Sequence, residues 1–318
     1  MSDDTDLFST FLLSELDQQV HWFFAPFMQI TISEPAALGP MVLTRLDWMS
    51  WRFLERTELV EEYILPQTDQ EAVVGIFTSA SNPSRDDDWS EAEQICEAAT
   101  IALRLAGDTN FVEPRLVGLY SKYGSTYARR PGHYRQDMLQ QHLQPEHKLK
   151  PAIIVDAHQN YEAVQTLLTR GTQAELLSLE LFRDSFGPYL GSGDRLLFLF
   201  ASLEALFLPW RERVTGVTLE RRAALAAALG GTSFPATLED GAARKARNQL
   251  AHGEPDEIAF ASLVAPMQEM MRGALRCWLK FQNTASQTHE PVREFNSRLA
   301  LSVRNNEAAG EASDRLNA

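Results

Sequence analysis

From His158 onward, apolar side chains fall at three- and four-residue intervals, with Val164, Leu167, Leu168, Leu176, Leu177, Leu179, Leu181 and Phe182 in one such run. That period is the turn of an α-helix, and it commits the second half of the chain to helices packed on helices. Breaks rich in Gly, Pro, Ser and Thr divide it into five expected helices, at 158–185, 194–209, 218–229, 238–252 and 256–282. Pro266 is expected to kink or split the last of them. The first half reads differently. Val20–Ile32, Met41–Phe53, Ala72–Thr78 and Phe111–Tyr120 are short apolar stretches bounded by turn residues, which suits strands. Between them Ser90 opens an amphipathic helix through Ala106, with Glu93 as capping-box partner and Gly107 as the stop. Asp86, Asp87 and Asp88 favour a helix N-terminus there. The expected architecture is α+β: a mixed α/β domain over 1–155, a helical domain over 156–284, and a flexible or loosely helical tail over 285–318.

Composition narrows the function. The 318 residues carry 29 Lys and Arg against 43 Asp and Glu, a formal charge of −14. Such a balance argues against sequence-blind nucleic-acid binding over the whole surface, while leaving room for a local basic patch. Cys96 and Cys277 alone build neither a disulfide framework nor a four-thiolate zinc site, which fits a reducing cytoplasm. The opening MSDDTDLF lacks a signal pattern. The most apolar run, Leu196 to Trp210, is interrupted by Glu204 and falls short of the ~20 residues a bilayer demands. No membrane partner is expected.

The most specific feature is Arg247-Asn248-Gln249-Leu250-Ala251-His252-Gly253. An Arg and a His five apart occur by accident in about half of chains this rich in Arg; requiring the Asn and the Gly as well cuts that to about one in a thousand. At about 100° per residue, Leu238, Ala242, Ala246 and Leu250 make an apolar stripe, Arg244, Asn248 and His252 a polar one, and Arg247 flanks the latter. A guanidinium can hold phosphate oxygens by paired hydrogen bonds and an imidazole can move a proton at neutral pH. Together they can drive attack of an RNA 2′-hydroxyl on the adjacent phosphate with no metal or other cofactor. The bland reading is that Arg247 pairs with an acid, Asn248 caps or bridges helices and His252 ends a helix. Glu204 would be costly alone in a dry core, so it is expected to reach Arg222 or Arg247, or to lie at an interface.

These residues resemble the HEPN family, and within it the Apea-like branch. GDRLLFLFASLEALFLPWRER is similar to that family's first core helix with its embedded acid, TLERRAALAAALGG to the next, and ARKARNQLAHG to the helix ending in R-N-x-x-x-H. The resemblance covers about 158–283. It implies a helical bundle that dimerises, so that Arg247 and His252 of two copies form a metal-independent endoribonuclease site, with Asn248 orienting the catalytic groups. A role in prokaryotic defence against phage is a further implication. It equally admits a non-catalytic dimerisation or RNA-binding module whose function lies in the N-terminal domain. Glu254 stands where a modifiable Tyr would be needed for the tyrosine-modified members.

Other clusters weigh less. Tyr127, Arg129, Arg130, His133, Tyr134 and Arg135, in what reads as a polar loop, combine charge with stacking faces of the kind single-stranded RNA asks for, although a solvated loop explains them too. His142, His147 and His158 lack the spacing of a helical metal pair, and no metal is expected. DNA is not an expected partner, since it lacks the 2′-hydroxyl.

Overall fold

The computed structural model describes residues 21–27, 30–45, 73–78, 85–107, 111, 117–122, 125–129, 147–187, 190–208, 216–232, 241–252, 257–284 and 292–300. They form an α+β chain of two compact units, Met1–Gln165 and Thr166–Ala318. The division therefore falls inside a helix, later than the expected boundary at residue 155.

The first unit holds β1 (His21–Phe27), β2 (Ile30–Thr31), β3 (Ala36–Leu38), β4 (Met41–Arg45) and β5 (Val73–Thr78). Helix α1 (Arg85–Ala106) follows, then β6 (Val117–Lys122), β7 (Ser125–Arg129), β8 (His147–Lys148) and α2 (Pro151–Arg170), whose last five residues belong to the second unit. Six strands make one antiparallel sheet in the order β3-β4-β5-β1-β6-β7, while β2 and β8 pair in parallel. Alternation in β1 buries Phe23, Ala25 and Phe27, and Phe23 stacks on its register partner Phe77 at 5.5 Å. Among the described residues, β6 pairs with His21–Phe24 and β5 alone stands opposite Pro26, which suits a residue with no N–H to give to a second neighbour. The strand expected from Phe111 begins at Val117, and Phe111 instead anchors the core, its ring 5.6 Å from Phe27 and 5.2 Å from the Arg104 guanidinium. Helix α1 starts at Arg85, so Ser90 lies inside it and the expected capping box with Glu93 is not at its start. Gly107 does close it, donating to Leu103 O at 3.3 Å. Gly39, at φ +59°, turns β3 into β4 where a Cβ would stand 2.5 Å from the Tyr161 ring.

The second unit continues with α3 (Gln173–Asp184), α4 (Ser192–Phe207), α5 (Gly216–Leu229), α6 (Ala242–His252) and α7 (Glu257–Thr284), and residues 292–300 form a last helix, α8. The helix expected over 158–185 is two. Gly171 ends α2, its N–H reaching Leu167 O at 2.7 Å, and Thr172 caps α3 through a capping box with Glu175. Helix α7 continues through Pro266. Phe260, Met267, Met271, Leu275 and Trp278 make it the spine of the core, each buried side chain contributing about 1.5–3 kcal/mol. Trp278 meets Phe295 of α8 edge to face at 4.9 Å, so this part of the expected tail is docked. Ser178 and Ser202 exchange hydrogen bonds, each hydroxyl donating to the other's carbonyl, at 3.0 and 2.7 Å, and so lock α3 to α4. No helix among the described residues is long and apolar enough to cross a membrane.

Candidate active site

Helix α6 is short because its start is a glycine turn and its sequence, AARKARNQLAH, has one small buried face. Gly241 enters it at φ +70°, and a Cβ there would lie 2.7 Å from Arg244 Nη2. Ala246 is buried, Ala242 and Leu250 are half-buried, and Lys245, Arg247, Asn248, Gln249 and His252 are exposed. The helix holds three cations and a histidine and not one acid. Leu238, expected in its apolar stripe, lies outside the described residues.

Arg247 Nη2 donates to Glu204 Oε1 at 3.1 Å, tying α6 to α4 across 43 residues of sequence. The side chains of Arg247 and Glu204 keep 47% and 36% of their accessible area, so the carboxylate is at the surface and not in a dry core. Of the two partners expected for Glu204, Arg222 is instead buried and donates to Phe207 O at 3.1 Å, satisfying a carbonyl at the end of α4. Arg244 takes the one acid that sequence reasoning missed, Glu220 of α5, at 3.8 Å, the outer limit of an ion pair. Its signal was present in the Leu-Glu-Arg-Arg run of α5, but many acids could have served as well. Arg244 thus leans toward α5, while Arg247, Asn248 and His252 face water.

His252 is the last residue of α6 and is exposed. Five residues separate it from Arg247, about 7.5 Å along the axis and about 140° around it. One copy therefore presents a guanidinium and an imidazole on the same helix end but in different directions. The phosphate-binding and proton-moving groups of one copy do not converge by helix geometry alone.

The remaining candidates belong to the first unit or lie outside the described residues. Tyr127 and Arg129 belong to β7, in a hairpin with β6 in place of the expected polar loop, with Tyr127 opposite Tyr120 in register. Arg130, His133, Tyr134, Arg135, His142 and Glu254 lie outside the described residues. His147 is in β8, and His158 Nδ1 accepts the Gly39 N–H at 3.1 Å. Among the described residues, no group of three or more His, Cys, Asp or Glu is placed to hold a metal ion.

Charge is split unevenly between the units. Residues 1–165 contain 12 Lys and Arg against 25 Asp and Glu, a formal −13, whereas residues 166–318 contain 17 against 18, a formal −1. The acidity of the chain thus belongs to the sheet unit, and α6 sits in a nearly neutral one. The chain matches no family model, no curated protein and no solved structure.

Proposed function

We propose that the helical unit is a metal-independent endoribonuclease of HEPN type that works as a homodimer. The observation that carries this reading is the exposed, acid-free surface of α6, where Arg247 is held by Glu204 and Asn248 and His252 are also open to water. The near-neutral charge of this unit removes the electrostatic objection that the whole-chain value raised. The pair leaves most of the five guanidinium donors of Arg247 for phosphate oxygens. One His252 takes the proton of a 2′-hydroxyl as O2′ attacks phosphorus; the P–O5′ bond breaks, and the partner's His252 returns a proton to O5′. Asn248 orients phosphate or the imidazole. Two copies answer the geometric problem of one, because a two-fold axis can bring the second His252 toward the phosphate that the first Arg247 holds. Cytoplasmic RNA is the substrate, and defence against phage is the setting that the resemblance implies.

Incubating purified wild-type and His252→Ala protein with total cellular RNA in excess chelator tests this. Wild type should leave fragments ending in 2′,3′-cyclic phosphate and 5′-hydroxyl, and the variant none. One observation favours a second reading, a non-catalytic dimerisation or RNA-binding module: Arg247 already has the acidic partner that a purely structural role needs. Intact RNA with wild-type protein that still dimerises or binds RNA would favour that second reading.

A further inference from the structure

Strand β3 ends the order β3-β4-β5-β1-β6-β7, so among the described residues its outer edge has no partner strand. In an antiparallel pair alternate residues turn their N–H and C=O away from the neighbour, and an uncovered edge is a template for another chain. A groove of about 300 Å³ runs beside this edge, lined by Ser33, Glu34, Ala36 and Ala37 on one side and by Val155 and His158 of α2 among those on the other. Its size is at the small end of ligand sites, enough for one or two side chains. Pro151, Ile154, Val155, His158 and Gln159 follow the i, i+3, i+4, i+7, i+8 spacing of a single helix face. Ile154 is buried, but Val155 keeps 57% of its area, more than any other large apolar side chain among the described residues. Gly39 N–H donates to His158 Nδ1 at 3.1 Å across 119 residues, tying the β3–β4 turn to α2. Because Nδ1 accepts, the neutral ring carries its proton on Nε2, a donor for an incoming carbonyl.

We propose that this groove binds an extended peptide as an added strand on β3, with one apolar side chain set against Val155 and Ile154 and with Lys or Arg on either side of it. An edge strand facing a helix across a narrow apolar slot is the geometry in which backbone hydrogen bonds give affinity and one pocket gives specificity. Charge selects the peptide. Glu34 is the one charged residue in the lining, exposed, and the unit around it carries a formal −13; Lys148 and Lys150, just before α2, are outside the lining. The same charge opposes single-stranded RNA as the ligand of this unit. The site is independent of α6 and of any ribonuclease activity.

A phage-displayed random heptapeptide library, selected on the full-length protein and counter-selected on Val155→Arg, tests the proposal. The expected result is a consensus of one Val, Ile, Leu or Met with Lys or Arg near it. The synthesised peptide, followed by fluorescence anisotropy, should bind Val155→Arg and Glu34→Lys at least tenfold more weakly. Methylating the backbone nitrogens of its central residues should abolish binding. Val155 and Glu34 are both exposed, and unchanged circular dichroism of each variant keeps the comparison clean. No selectable peptide, an acidic consensus, indifference to backbone methylation, or a loss of self-association with Val155→Arg in place of a loss of peptide would each overturn it.

Discussion

Arg247 and Glu204 are both substantially in water, which sets what each can contribute to stability. An exposed ion pair is worth about 0–1 kcal/mol. Arg247→Ala, Glu204→Ala and the double variant are therefore each expected to shift the free energy of unfolding by no more than about 1 kcal/mol in urea denaturation, with a coupling of similar size in the double-mutant cycle. Had Glu204 been sealed in the apolar run of α4, its removal from Arg247 would have cost several times as much. RNA cleavage should behave otherwise: Arg247→Ala and His252→Ala should each abolish it while stability changes by no more than about 1 kcal/mol. A large loss of stability with cleavage retained would make the motif structural. Cys277 of α7 is buried, and that burial pushes its thiol up to about 11, against a smaller lowering by Lys280. Its alkylation by iodoacetamide at pH 8 is expected to be slower in the native protein than in urea by at least tenfold, read by mass spectrometry.

At the scale of elements, the break between α2 and α3 carries the clearest prediction. Thr172 Oγ1 accepts from Glu175 N at 3.5 Å, Thr172 N donates to Glu175 Oε2 at 2.6 Å, and Gln282 Nε2 donates to Glu175 Oε1 at 2.6 Å. Glu175 is thus buried with both oxygens satisfied, joining the start of α3 to the end of α7. Thr172→Ala should cost about 1 kcal/mol, as for other caps. Glu175→Ala should cost more, since it orphans both the cap N–H and Gln282. Thermal melts of the two variants, ranked in that order, check the arrangement. A similar sensitivity holds where α5 approaches α7: a Cβ on Gly273 would sit 2.8 Å from Ala227 O, backbone that cannot step aside cheaply. Gly273→Ala should therefore destabilise by more than the ~1 kcal/mol that helix propensity alone would gain.

For the whole molecule, alkaline pH probes both units with one sign. Cys277 ionises near 9 when unfolded but near 11 when folded, so its contribution to stability is complete below 9 and is lost as pH rises toward 11. Burial also raises the Tyr161 hydroxyl well above its ordinary 10, with Cys96 and Glu91 adding to the rise, so Tyr161 extends the same loss further. Urea midpoints should fall steadily from pH 9 upward, and Cys277→Ala should flatten the first part of that fall. Association is the second whole-molecule property. Leu177 and Leu197 are large apolar side chains left exposed on α3 and on α4, the helix that carries Glu204. Light scattering at micromolar protein should give a dimer; a strict monomer would remove the two-copy mechanism.

Much of this was legible in one dimension because it is local. Helical period, the Gly107 stop and the strands at His21–Phe27 and Val73–Thr78 depend on residues within one or two turns of each other. So does the placing of Arg247, Asn248 and His252 on one helix. What failed was equally physical. Thr172 reads as one polar residue in a long helical run unless its capping partner Glu175 is weighed against continuing the helix, and Ser90 looks like a cap although the helix had begun at Arg85. The pairing of Glu204 with Arg247 and not Arg222, the assignment of Glu220 to Arg244, and the bond from Gly39 to His158 join residues 43, 24 and 119 positions apart. Several acids and cations could have satisfied each other at those distances with equal chemistry. Which of them meet was decided by how the helices pack and how the strands register, because packing selects one set of neighbours from many that local sequence leaves equivalent.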